Sequence, residues 1–209
     1  MHYKLIIKGI RAIIPGGISD LDFSTASEID ELSAKELLHI FLQNGIGVLD
    51  GNIVNFQNTD KIAASIFAMK HGASIEDVSE FLNWKDFESL VSHVLEENGF
   101  QVHKNLILTK PRMEIDVVGI KLGLAILIDC KHWKKITQST LNEIVHKQIE
   151  RVKNYIKKTE ISIAVPVIVL LHQEKVSFVN QVPIVPVMQL PSFLDEFYGN
   201  LDKMKTIEK

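Results

Sequence analysis

The stretch Arg112–Trp133, RMEIDVVGIKLGLAILIDCKHW, limits what this chain can fold into more than any other. Two apolar runs flank Leu122-Gly123, and Gly123 supplies the positive φ that a tight turn needs. The pattern predicts a β-hairpin with arms Met113–Ile120 and Leu124–Lys131. With Leu122-Gly123 as a two-residue loop, paired residue numbers sum to 245. Asp116 then stands opposite Asp129, and Glu114 opposite Lys131. Strand alternation puts all four charges on one face.

Two carboxylates facing each other across a ladder repel and raise each other's pKa. Val117, Val118, Ile126, Leu127 and Ile128 surround them with apolar sheet, which sharpens the repulsion. A divalent cation held by oxygen ligands compensates it, and the neighbouring Lys131 assists. The competing reading is an exposed hairpin with solvated acids, and the apolar runs argue against it.

Asp116, a hairpin and then Asp129-Cys130-Lys131 resemble the D…(D/E)xK signature of the PD-(D/E)xK restriction-endonuclease-like nuclease superfamily. The likeness is to its Mrr-type and archaeal Holliday-junction-resolvase-type branches. It covers about Trp84 to Leu171 and reaches toward Tyr198, and leaves out the first eighty or so residues. It implies an α/β fold with an αβββαβ core, and a metal-dependent endonuclease that hydrolyses DNA phosphodiester bonds in repair, recombination or restriction. In that reading Asp116 and Asp129 hold Mg²⁺ or Mn²⁺, with the Cys130 carbonyl and Glu88 as further ligands. Lys131 orients the attacking water or neutralises developing charge, and Gln148 positions Lys131 or a phosphate oxygen. Arg112, Lys134, Lys135, Lys147 and Arg151 are the candidates for DNA-backbone contact.

Glu88 and Gln148 each carry a plainer reading. Trp84 to Asn98 is amphipathic through Phe87, Leu90, Val91, Val94 and Leu95. Glu88 falls roughly 20° from Leu95 on that helix, at the edge of the apolar stripe. An ordinary boundary glutamate fits there as well as a ligand does. Gln148 lies within the stripe Leu141, Ile144, Val145, Ile149, Val152 and Ile156, where it is either a functional amide or a satisfied structural one.

At 209 residues the chain holds two small domains or one large one. We divide it into 1–82, an α+β module with a loosely winged-helix-like order, and 83–209, the nuclease-like domain. The net charge of −3 argues against nucleic acid until its distribution is considered. Residues 131–158 hold eight Lys and Arg against two Glu. Residues 19–100 hold four Lys against fifteen acids. Beside an acid cluster the basic run is as well suited to phosphate as to bulk solvent. The acidic amino-terminal module suits a protein partner, and the helix expected over Ile75–Leu82 is too acidic to read bases.

A homodimer is one assembly that the resemblance allows. The second class of function weighed is a non-catalytic nucleic-acid- or protein-binding subunit on a nuclease-like fold. The lone Cys130 excludes an internal disulfide and suits the cytoplasm. No signal peptide, membrane span, zinc-ligand spacing, P-loop or nucleophile elbow is legible.

The remaining expectations are local. His2–Ile14 reads as one strand or two, Ser19–Ser27 as loop, and Ser33 as the cap of a helix ending at Gly45. A hairpin turns at Asp50-Gly51, and Thr59 caps a helix to His71. Phe100–Leu108 and Ile161–Leu171 are strands, the latter central despite Pro166. Two short strands follow at Val176–Val179 and Ile184–Val187. Pro191 opens a terminal helix to about Leu201, with a frayed tail after it.

Overall fold

The structure is a computed structural model and describes residues 2–74, 77–78, 81–131, 137–171 and 176–209. Two units divide it, Met1–Asp86 and Phe87–Lys209.

The first unit opens with a helix, α1 (Tyr3–Ala12), where a strand was expected. Its isoleucines favour strand locally, but Ile6, Gly9, Ile10 and Ile13 are buried at helical spacing, and packing overrides propensity. Gly9 permits the contact with the helix below it. A Cβ there would sit 2.5 Å from Leu37 Cδ2 and 3.3 Å from the Phe41 ring. β1 (Gly16–Ser19) leads into α2 (Asp20–Ser27), in place of the expected loop. Ser19 caps α2, its Oγ accepting the Asp22 N–H at 3.2 Å.

α3 (Glu31–Gln43) starts earlier than expected, because Asp30, not Ser33, is its cap. The Asp30 carboxylate accepts the Ser33 N–H at 3.0 Å. β2 (Val48–Asp50) and β3 (Ile53–Phe56) form the expected hairpin, but its loop is Gly51-Asn52, one residue later than the expected Asp50-Gly51, because Asp50 pairs with Ile53. β3 lies between β1 and β2 in an antiparallel sheet. α4 (Asp60–Lys70) follows, with no side-chain bond from Thr59. The Asp60 carboxylate instead accepts the Gln57 N–H at 2.6 Å. Phe23, Phe41, Ile6, Ile10 and Leu37 are wholly buried in this unit's core. The helix expected over Ile75–Leu82 lies partly outside the described residues.

α5 (Trp84–Glu97) is fixed at its start by a reciprocal cap. Asn83 Oδ1 accepts the Asp86 N–H at 3.1 Å, and the Asp86 carboxylate accepts the Asn83 N–H at 3.0 Å. β4 (Gln101–Leu108), β5 (Met113–Lys121) and β6 (Leu124–Lys131) then run antiparallel. The turn between β5 and β6 has the expected register, from Lys121 opposite Leu124 to Val117 opposite Ile128. Both loop residues take positive φ, Leu122 at 51° and Gly123 at 78°, as a type I′ turn requires.

α6 (Gln138–Lys158) carries the chain across the sheet, so β7 (Ile163–Leu170) pairs parallel with β6. The order α5-β4-β5-β6-α6-β7 is the expected αβββαβ core. α6 buries Val152, Tyr155 and Ile156 in one cluster with Val118, Leu127 and Ala164. Leu141, Ile144 and Val145 join Ile168, Leu170 and Ile184 in another.

β8 (Ser177–Val179) and β9 (Val182–Pro186) extend the sheet, whose order is β4-β5-β6-β7-β9-β8. The terminal helix is broken into α7 (Leu190–Asp195) and a 3₁₀ segment, Tyr198–Lys203. The tail is not frayed. β10 (Ile207–Glu208) pairs with Ala164 and Ile163 of β7, and the Lys205 N–H donates to the Gln181 carbonyl at 2.8 Å. This covers the start of β7, which β9 meets only from Ile168 onward. Pro166 falls between those two pairings, in the kind of gap where a residue without an N–H is tolerated. Among the described residues no helix is long and apolar enough to cross a membrane.

Candidate active site

The β5–β6 ladder ends one residue before the acids. Its last pair is Val117 with Ile128, so the expected pairing of Asp116 with Asp129, and of Glu114 with Lys131, does not form. Like charges placed opposite each other disfavour a continued ladder. The Asp116 carboxylate instead accepts the Cys130 N–H at 2.8 Å. β6 continues on its other side, with Asp129, Cys130 and Lys131 paired to Ile168, Val169 and Leu170 of β7. The acids therefore stand where two strands part, held by a sheet that stays closed on one side.

Asp129 is the most enclosed of the acids, at 2 % exposure. Its Oδ1 accepts from Arg151 Nη1 at 2.8 Å. Lys131 Nζ lies 2.8 Å from Oδ2 as an ion pair, yet Oδ2 is buried with no aligned hydrogen-bond donor. The contact is electrostatic, and the Oδ2 lone pairs lie off the line of a hydrogen bond. Lys131 thus turns to Asp129, and the cross-strand partnership with Glu114 is replaced.

Burial pushes the Asp116 carboxyl above its ordinary range, and the Asp129 charge adds to that. The Cys130 N–H, Lys131 and Arg151 oppose the shift. Glu88, 8 % exposed on α5, is pushed up to about 7, first by burial and then by the charges of Asp116 and Glu114. Its carboxylate therefore shares the field of the strand acids, which favours the functional placement over a solvated boundary residue. The Cys130 thiol is held well above its ordinary value by burial and by the charges of Asp116, Asp129 and Glu88, so it is no nucleophile at neutral pH.

Gln148 is completely buried on α6. Its Nε2 donates to the Leu127 carbonyl at 2.7 Å, and its Oε1 accepts from Arg151 Nη1 at 3.2 Å. Gln148 thus joins the site through Arg151 and Asp129. This is a lone buried amide with both ends used, anchored to the strand that carries the acids.

These features fall within a segment that other proteins share. Residues 80–168 match the restriction endonuclease family model. The αβββαβ order of that segment fits a restriction-endonuclease-like α/β fold, and the match covers less than half of the chain. No curated protein matches the chain. Among solved structures it is similar to the protein of unknown function AF1548, at 25% identity and TM-score 0.35, over 42% of this chain and 47% of that one. It is also similar to protein VC1899 from Vibrio cholerae, at 16% identity and TM-score 0.39, over 97% of this chain and 52% of that one. The chain spans about half the length of each of these structures.

The nuclease-like domain meets a chemical requirement of a divalent cation. Three carboxylates, Asp129, Asp116 of raised pKa and Glu88 pushed up to about 7, share a field that Lys131 and Arg151 offset in part, an oxygen-rich position that suits a divalent cation. The side chains alone do not complete it: among the described residues no group of three His, Cys, Asp or Glu could hold a metal ion. Backbone oxygens, water or substrate must supply the remaining ligands, as is usual for Mg²⁺.

Of the backbone-contact candidates, Arg112, Lys147 and Arg151 line one cleft of about 330 Å³ with Glu114, His146 and Glu150. Lys134 and Lys135 lie outside the described residues. Arg151 faces inward as well, a role its sequence assignment missed. Its place three residues after Gln148, on the same helical face, was the available signal.

Proposed function

We propose that the protein is a Mg²⁺- or Mn²⁺-dependent deoxyribonuclease acting inside DNA. The observation that carries this reading is the buried Asp129 carboxylate beside Asp116 and Lys131, with no aligned hydrogen bond to its Oδ2, in a segment that matches the restriction endonuclease family. Asp116 and Asp129 would hold the cation, with the Cys130 carbonyl as a further oxygen donor and Glu88 acting on it only through water. A cation bound there supplies positive charge to polarise the scissile phosphate and acidify a water.

The protein's own groups do the rest. Lys131 places an ammonium beside the reacting phosphate and offsets charge that develops in the transition state. Arg112 and Lys147 hold backbone phosphates along the cleft, which sets the register of the duplex without reading its sequence. The amino-terminal unit runs helix, strand, helix, helix, hairpin, an order that supports a winged-helix-like module. The exposed residues of α3 include Glu31, Leu32, Lys35, Glu36 and His39, and this mixture favours a protein partner over base edges. A homodimer would place two such sites on two strands, and the protein would act in the cytoplasm.

The shortage of side-chain ligands favours a second reading, a DNA-binding subunit without catalysis. A panel of duplex, nicked, flap and four-way-junction DNA, incubated with Mg²⁺ or Mn²⁺, separates the two. We expect cation-dependent cutting of at least one substrate, lost in Asp116→Ala. Lys131→Ala should lower the single-turnover rate at saturating protein by about a hundredfold with DNA affinity nearly unchanged. Binding without cutting of any substrate would support the second reading instead.

A further inference from the structure

Arg151 was assigned to phosphate from its place in a basic run, but its contacts are with the acid at the centre of the site. Its Nη1 donates to Asp129 Oδ1 at 2.8 Å and to Gln148 Oε1 at 3.2 Å. Gln148 in turn donates to the Leu127 carbonyl, two residues before Asp129 on the same strand. The relay therefore starts and ends on β6, and it crosses α6 through the buried Gln148 and the partly exposed Arg151.

A carboxylate on a strand can rotate about its Cβ–Cγ bond, and rotation decides which oxygen faces a ligand. Here one oxygen is tied to a guanidinium that is itself held by a completely buried amide. The other oxygen, Oδ2, has no aligned donor. Among the described residues the cation paired with it is Lys131, whose side chain is 22 % exposed.

We propose that Arg151 is a positioning residue: with Gln148 it fixes the Asp129 carboxylate by Oδ1 and leaves Oδ2 for a divalent cation. This rests on the metal-dependent reading above and assigns Arg151 a task separate from DNA contact. Partners that orient a ligating carboxylate typically change metal affinity by 10–100-fold when removed.

The test is calorimetric titration of the metal-free full chain with Mn²⁺, without DNA, for wild type, Arg151→Gln and Arg151→Lys. DNA affinity is measured beside it in chelator. Arg151→Gln should weaken Mn²⁺ binding at least about tenfold, with DNA affinity changed less than about threefold. Arg151→Lys should recover only part of the loss, because an ammonium cannot present the guanidinium's planar fork to Oδ1 and the amide together. If Arg151→Gln does not fold, the Arg151→Lys titration decides alone, with weakened Mn²⁺ binding still expected.

Unchanged or tighter Mn²⁺ binding overturns the proposal, since the arginine would then be structural or a competitor of the cation. Weaker DNA binding with unchanged Mn²⁺ affinity overturns it in favour of a phosphate contact. If wild type takes no Mn²⁺, the metal-dependent reading itself falls, and the proposal with it.

Discussion

Glu88 illustrates how a single position acquires chemistry from its surroundings. Its sequence placement says only that it borders the apolar stripe of α5. In the structure burial and the charges of Asp116 and Glu114 push it up to about 7, from an ordinary 4.5. The sign of its effect on stability follows. Below 4.5 both folded and unfolded forms are protonated, and the group contributes nothing. As pH rises from 4.5 to 7 the unfolded chain releases this proton first, so folding is disfavoured, and the cost is complete above 7. In chelator, Glu88→Gln should therefore melt above wild type at pH 8, with the two converging as pH falls toward 5. Saturating Mn²⁺ should narrow the pH 8 gap, since a nearby cation favours the charged form. Differential scanning calorimetry checks this; a variant less stable than wild type at pH 8 in chelator would mean that the carboxylate makes favourable contacts when ionised.

At the scale of elements, α1 shows a local signal losing to packing. Two runs of three apolar residues, Leu5–Ile7 and Ala12–Ile14, read as strand, but Ile6, Ile10 and Ile13 can be buried together only on a helix. Gly9 tests the point. Alanine would be the better helix former by about 1 kcal/mol. Its Cβ would meet Leu37 Cδ2 at 2.5 Å, and Leu37 and Phe41 are completely buried with little room to yield. Overpacking of this kind typically costs about 1–3 kcal/mol. Gly9→Ala should therefore lower the urea midpoint of the transition that contains this unit; a raised midpoint would show that Leu37 can turn aside. The hairpin of β5 and β6 is the opposite case. Its register was legible because turn chemistry and alternation agree, and it stops only where opposed acids prevent pairing.

Over the whole molecule, charge divides between the two units. Residues 1–86 carry twelve acids against seven Lys and Arg, and residues 87–209 carry fourteen against sixteen. The −3 total hides a unit of −5 and a unit of +2. A DNA-binding surface confined to the second unit should make few phosphate contacts. With about three to five of them, the slope of log affinity against log salt should lie between about −2.7 and −4.5. Lys147→Ala should make that slope shallower by about 1, whereas Lys35→Ala on α3 should leave it unchanged. Fluorescence anisotropy across a salt series in chelator measures both, and a shallower slope for Lys35→Ala would move DNA contact onto the first unit.

The sequence alone determined the αβββαβ order, the hairpin register and the chemical identity of the acids and lysine. All three depend on neighbours within a few residues: turn geometry, side-chain alternation and residue type. It also marked Gln148 as a polar group on a buried stripe. Only the tertiary structure decided where the ladder opens, because that depends on repulsion between strands and on β7 holding β6 from its other side. Only it turned Arg151 to Asp129, because a long side chain has no direction until a partner across the core supplies one. The ordered tail has the same origin. Ile207 and Glu208 carry no strong strand signal, and they pair because the start of β7 presents an edge that β9 does not reach.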